Sequence, residues 1–169
     1  MSLVYFISDL HLGHKNVLKF EPGSRVGTNV DEHDRWLVDQ WNSVVKPRDT
    51  VWVLGDVCMD EEKVHYLDEM RGQKHLIIGN HDNLDLSVYQ KYFYKIHAMM
   101  KYKGFWVTHC PMHPSELWGR KNIHGHIHSA VIEDENYINV CVERSYGKPQ
   151  LFTDLIEKFG RKYVKYPHE

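Results

Sequence analysis

A chain of 169 residues with 42% hydrophobic and 26% charged residues holds enough apolar material for one globular core, and its formal net charge of −2 gives no basic field for a polyanion or an anionic membrane surface. Cys58, Cys110 and Cys141 are odd in number, widely spaced and free of any C-x-x-C pair, which argues against a secreted disulfide framework and for reduced thiols in the cytoplasm. No stretch approaches the ~20 apolar residues of a spanning helix, and Leu3-Val4-Tyr5-Phe6-Ile7 lacks the basic flank and length of a secretory signal, so a cytoplasmic protein without a membrane partner is expected.

Taken in chain order, Leu3–Ser8 predicts a buried strand, being short, apolar and ended by polar residues. Val30–Val45 predicts a helix, with Trp36, Leu37, Trp41, Val44 and Val45 at helical spacing, Asn29 or Asp31 as cap and Pro47 as stop. Thr50–Leu54 predicts a second strand. Asp60–Met70 follows as a helix with acidic residues in its first turn and Gly72 at its end. Lys74–Ile78 predicts a third strand. This β-α-β-α-β opening implies parallel strands joined by crossover helices.

The second half reads as more β-rich. Ile96–Lys101 and Phe105–His109 flank a Lys103-Gly104 turn. Asn122–Gly125, Ala130–Glu133 and Tyr137–Val142 predict short strands, the last two joined by a turn at Asp134-Glu135-Asn136. Phe152–Phe159 predicts a helix ending at Gly160, and Lys162–Tyr166 an edge strand. No repeat or linker interrupts the chain, so residues 1–169 are expected to form one domain.

Seven oxygen and nitrogen donors punctuate this pattern: Asp9 and His11 in S-D-L-H, Asp56 in L-G-D-V, Asn80 in G-N-H-D, His109 in V-T-H-C, and His126 and His128 in G-H-I-H. Asp9, Asp56 and Asn80 each follow a predicted strand, and in parallel sheets the carboxyl ends of strands form one rim. Imidazoles at i and i+2 of an extended segment point the same way, and Gly79 and Gly125 leave room for close approach. Such donors suit borderline or hard divalent cations, not a thiolate zinc site.

These five blocks, in this order, resemble the calcineurin-like metallophosphoesterase superfamily, in particular its small bacterial, archaeal and phage members. The resemblance covers about 120 residues, from Asp9 to His128. It implies an α/β fold, a four-layer αββα sandwich of two mixed β-sheets. It also implies two divalent cations, with Mn²⁺ favoured and Fe, Zn, Ni or Co as other occupants. Asp9, His11 and His128 would hold one, Asn80, His109 and His126 the other, and Asp56 would bridge them. The implied reaction is hydrolysis of a phosphodiester or phosphomonoester by a water activated between the metals. His81 would protonate the leaving alkoxide, and Asp82 would orient His81 or cap the next helix.

His14, Asn16, Arg25 and Trp118 are candidate substrate contacts, with Tyr146 in the same class; Trp118 lies beside Arg120 and Lys121 in a loop between two donor blocks. His33, His65, His75 and His97 have no partner pattern and read as surface or packing residues. The expected substrate is a small or nucleotide-like phosphate ester. A nuclease on single-stranded nucleic acid is the enzymatic alternative, although no basic stripe supports a stable nucleic-acid complex. A catalytically inactive metal-binding scaffold is the non-enzymatic one. The chain is expected to be a monomer or homodimer.

Overall fold

The computed structural model of the protein describes residues 2–158. Its elements are β1 (Val4–Ile7), α1 (Val17–Phe20), α2 (Val30–Val44), β2 (Thr50–Val53), α3 (Tyr66–Glu69), β3 (Gln73–Ile77), α4 (Leu86–Tyr89), β4 (Lys95–His97), β5 (Met100–Tyr102), β6 (Phe105–Val107), β7 (Lys121–His124), β8 (Tyr137–Asn139), β9 (Gln150–Leu151) and α5 (Phe152–Lys158). They form two mixed sheets with helices, an α/β fold.

The first sheet runs β4-β3-β2-β1-β9, with β1 to β4 parallel and β9 antiparallel beside β1. Both of its faces are buried, which is why its strands are nearly continuous apolar runs. Tyr5, Ile7, Val51, Val53 and Leu76 point toward Leu37, Val38 and Trp41 of α2 and Leu67 of α3. Phe6, Trp52, Leu54 and Ile77 point the other way, onto Phe105, Val107, Ile123 and Ile138 of the second sheet. Phe152, from α5, packs between the sheets with ring centroids 5.6 Å from both Phe6 and Phe105.

Helix α2 starts where expected. Asn29 Oδ1 accepts from Glu32 N at 3.0 Å, which satisfies one orphan donor of the first turn, while Glu32 Oε2 reaches back to Thr28 N just before the cap. Trp41 is fully buried and its Nε1 donates to the Arg71 carbonyl at 2.8 Å. Truncating such a residue to alanine typically costs about 3–5 kcal/mol.

The second sheet runs β5-β6-β7-β8; only β5 and β6 are antiparallel. Their hairpin turns at Lys103 and Gly104, both with left-handed φ (45° and 83°), as a primed turn requires. The stretch Ile96–Lys101, expected as one strand, is instead divided between the two sheets: Lys95–His97 extends the first and Met100–Tyr102 opens the second. The expected pair of strands Ala130–Glu133 and Tyr137–Val142 is also corrected: only Tyr137–Asn139 is a strand, β8, and it pairs parallel to β7 (Ile123 opposite Ile138). Residues 130–133 form no strand; Asn139 Nδ2 holds the Ala130 carbonyl at 3.0 Å in place of a ladder.

The stretch Asp60–Met70 is broken into a 3₁₀ turn, Glu61–Lys63, and the short α3. Val64 N bonds the Glu61 carbonyl and His65 Nδ1 bonds the Glu62 carbonyl, so local i−3 bonding displaces the regular ladder there. Asp60 Oδ1 caps this turn through Glu62 N. The expected helix end at Gly160 and strand Lys162–Tyr166 lie outside the described residues.

On the outer face of the second sheet, Lys101, Trp106, Asn122 and Tyr137 lie in register. Among the described residues that row is met by a loop, not an α-helix: Asn122 Oδ1 accepts from Met112 N and Tyr137 Oη donates to the Met112 carbonyl. The buried residues of α2 to α5 join the two cores on either side of the first sheet. Three layers are therefore in place, and a fourth helical layer is not seen among these residues.

Candidate metal centre

Strand ends deliver every donor. β1 leads into Ser8–Leu12, β2 into Gly55–Val57 and β3 into Gly79–Asp82; β6 and β7 of the second sheet lead into His109 and Gly125–His128. The loops are laced together by Asp9 N to the Gly55 carbonyl (3.0 Å), His11 N to the Asp56 carbonyl (2.9 Å) and Gly125 N to the His109 carbonyl (2.8 Å). Ser8 joins the two sheets, with its N on the Val140 carbonyl and its Oγ on the Leu54 carbonyl.

Backbone strain concentrates at these positions. Eight described non-glycine residues have left-handed φ, and five of them carry donors: Asp9 (61°), His11 (52°), Asp56 (52°), His126 (71°) and His128 (51°). Each such conformation costs on the order of 1 kcal/mol or more and persists where surrounding contacts impose it, a pattern that clusters at functional sites. Two glycines permit the close approach. A Cβ on Gly79 would collide with Asp56, and one on Gly125 would stand 2.5 Å from Asp9 Oδ2.

The seven donors form two groups that share Asp56. Asp9 Oδ1 lies 3.6 Å from His11 Nε2 and 3.8 Å from His128 Nε2, and the His11 and His128 rings stack at 5.1 Å. On the other side, His109 Nε2 is 2.8 Å from Asn80 Oδ1 and 3.2 Å from His126 Nδ1. Asp56 reaches both groups, with Oδ2 3.7 Å from His11 Nε2 and Oδ1 3.5 Å from His109 Nε2.

These spacings fit donors arranged around cations at about 2.0–2.2 Å from each. Asp9 Oδ1 and His11 Nε2 are buried with no hydrogen-bond partner, an arrangement that costs about 1–3 kcal/mol per group unless something satisfies them. Burial pushes the Asp9 carboxyl up, but His11 and His109 beside it hold it well below the usual range. Burial pushes His126 down, whereas the Glu143 carboxylate beside His128 pushes that imidazole up, so a cation there would displace a proton. An ionised carboxylate and neutral imidazoles are the forms that bind metal, so the residues present fit a pair of divalent cations. Cys110, set aside on sequence grounds, is exposed and groups with His109 and His126.

The imidazoles have defined supports. His109 Nδ1 donates to the Leu54 carbonyl at 2.6 Å, which leaves Nε2 as the free lone pair. His128 Nδ1 lies 3.0 Å from Glu143 Oε1. Sequence reasoning missed Glu143, and it assigned Arg25 to the substrate. Arg25 is instead buried: it pairs with Glu143 at 2.7 Å and donates to the carbonyls of Asp9 and Leu10 at 2.6 and 3.0 Å. His33, read as a packing residue, bridges Arg25 Nη1 (3.1 Å) and Asp34 (3.0 Å), and Asp34 in turn accepts from Gly13 N.

His81 is exposed at the rim, its ring centroid 6.0 Å from that of His11, and its backbone N donates to Asp56 Oδ1. Asp82 neither orients His81 nor caps α4, a role taken by Asp85. Its two oxygens accept from the backbone N of Asp56, Val57 and Gly79 and from Tyr89 Oη, so it clamps the second and third loops together. Burial pushes its carboxyl up, against the pull of the Gly79 and Val57 amides.

Of the remaining candidates, His14 is half-buried with its ring 5.5 Å from His11 and 5.9 Å from Phe20. Asn16 and Trp118 are exposed, the latter at 68%. Tyr146 packs edge-on against Trp36 of α2, 5.4 Å between centroids, an anchor for its own turn.

No family model matches the chain. It is 41% identical over 87 residues to the Gene 66 protein of Mycobacterium phage L5, an alignment covering 48% of this chain and 41% of that protein, so the similarity spans about two-fifths of the phage protein's length. The crystal structure of AQ665 from Aquifex aeolicus, a protein of unknown function, superimposes with a TM-score of 0.75 at 26% identity, covering 94% of this chain and 100% of that one. The uncharacterized protein MJ1445 of Methanocaldococcus jannaschii is 31% identical over 175 aligned positions, covering 94% of this chain and 93% of that protein. Identity of that extent over nearly the whole of both chains means that this chain belongs to the MJ1445 family.

Proposed function

We propose that the protein is a dinuclear-metal phosphoesterase of the calcineurin-like type, with the metallophosphatase fold, acting on a small or nucleotide-like phosphate ester. The observation that carries the reading is Asp56: one carboxylate faces the Asp9–His11–His128 group with one oxygen and the Asn80–His109–His126 group with the other. When bound, a pair of divalent cations acidifies a shared water and neutralises phosphoryl charge in the transition state.

Each residue then has a role. Asp9, His11 and His128 would hold one cation, Asn80, His109 and His126 would hold the other, and Asp56 would serve both. Asn80 contributes a neutral oxygen, so the site gains a ligand without a further negative charge. His81 stands on the open side of His11, where its imidazole can give a proton to the departing alkoxide, a contribution of about 10²–10⁴-fold. His14, its ring 5.5 Å from that of His11, would contact a phosphoryl oxygen. Among the described residues no helix is long and apolar enough to cross a membrane.

The test is hydrolysis of bis-p-nitrophenyl phosphate, p-nitrophenyl phosphate and 2′,3′-cyclic nucleotides with Mn²⁺, in wild-type protein and Asp56→Ala. Metal-dependent turnover that disappears in Asp56→Ala is expected. Absence of turnover of every ester with every divalent metal sinks the reading.

A further inference from the structure

We propose that Arg25 and Glu143 form the positioning device of the Asp9–His11–His128 half of the centre, setting the tautomer of His128 and the path of the Asp9 backbone together; the assignment rests on the two-cation reading. Glu143 is an acceptor, so the proton in its 3.0 Å contact with His128 belongs to Nδ1 and the Nε2 lone pair is left facing Asp9. The same Oε1 receives Arg25 Nε at 2.8 Å and Nη2 at 2.7 Å, and both side chains of that pair are at most 1% exposed. Arg25 Nη2 also donates to the Asp9 carbonyl at 2.6 Å and Nη1 to the Leu10 carbonyl at 3.0 Å. One guanidinium thus holds both the loop that carries Asp9 and His11 and the carboxylate that holds His128.

The opposite half has supports of its own, and touches this device through His126 N, which donates to Asp9 Oδ2 at 2.8 Å. His109 takes its tautomer from the Leu54 carbonyl, and the loop of Asn80 is clamped through Asp82 on Gly79 N. Loss of the Arg25–Glu143 pair therefore weakens one cation site much more than the other. Partners of this kind typically change metal affinity about 10–100-fold. The pair spans 118 residues, so no local spacing announces it.

The experiment uses the full chain in two measurements. Equilibrium dialysis with Mn²⁺ should give two ions per wild-type chain. Glu143→Ala should retain one at nearly unchanged affinity and bind the other about 10–100-fold more weakly. Glu143→Gln, which keeps an acceptor for His128 Nδ1–H, should fall between them, as should Arg25→Lys. NMR of the histidine ring nitrogens in metal-free protein supplies the second readout: His128 should be the Nδ1–H tautomer in wild type and Glu143→Gln and lose that preference in Glu143→Ala. Two equally tight ions in Glu143→Ala, or an Nε2–H tautomer of His128 in wild type, would overturn the proposal. If wild type binds no cation, the two-metal reading fails, and the tautomer measurement still judges the positioning role. Should Glu143→Ala fail to fold, Glu143→Gln and Arg25→Lys carry the same comparison.

Discussion

Asp56 Oδ1 and the backbone N of His81 lie 2.9 Å apart, so the carboxylate shared by the two halves of the centre also fixes the base of the rim histidine. The proposed bridging carboxylate and the proposed proton donor are coupled through one hydrogen bond. A change at His81's side chain should leave that bond intact, because the backbone makes it.

His81→Ala is therefore expected to keep both cations and lose turnover selectively. For alkyl esters, whose alkoxide needs a proton, kcat should fall about 10²–10⁴-fold. For p-nitrophenyl esters, whose leaving group is already a good one, the fall should be much smaller. Steady-state kinetics on a methyl and a p-nitrophenyl diester check this; equal losses on both would show that His81 does not donate a proton.

Asp82 accepts three backbone N–H groups and one tyrosine hydroxyl, and hydrogen bonds to a charged group are worth about 1.5–3 kcal/mol each. Asp82→Ala is expected to lower the unfolding free energy of the metal-free protein by at least about 3 kcal/mol, read by urea denaturation. Unchanged stability with depressed kcat would instead restore the orienting role that the sequence suggested.

Gly125→Ala drives a Cβ toward Ser8 and Asp9 Oδ2. Overpacking of this kind typically costs about 1–3 kcal/mol. Because the strain falls on Asp9, Mn²⁺ affinity should fall along with stability. A variant with wild-type metal binding by dialysis would show that the loop yields without moving Asp9.

The three thiols should react at different rates. Burial pushes Cys58 up to about 12 and pushes Cys141 higher, whereas Cys110 is exposed. Since the thiolate is the reactive form, a chromogenic disulfide reagent should titrate one thiol quickly in native protein and three in denaturant. Fast reaction of two or more in the native state would contradict the buried placement of Cys58 and Cys141.

The legible part of the site was the part written in single loops. Asp9, His11, Asp56, Asn80, His109, His126 and His128 each follow a strand, and strand ends are readable from short apolar runs closed by glycine or charge. The supports were not legible. Arg25 meets Glu143 across 118 residues, and a buried ion pair leaves no periodicity in the chain. Arg25 was misread for that reason, and His33, buried as a packing residue, also bonds Arg25 in a way no local pattern shows. In the fold, Ile96–Lys101 looked like one strand because pleating is continuous in sequence, while the choice of sheet depends on pairing partners. The Asp134-Glu135-Asn136 signal marked a real turn, with Asp134 Oδ1 accepting from Asn136 N, but residues 130–133 before it find no strand to pair with.

The most direct measurement is electron paramagnetic resonance of the Mn²⁺-saturated protein. The two-metal account, with one carboxylate spanning both ions, predicts the spectrum of an exchange-coupled Mn²⁺ pair in wild type and its loss in Asp56→Asn. A wild-type spectrum of isolated Mn²⁺ alone, at saturation, would contradict it.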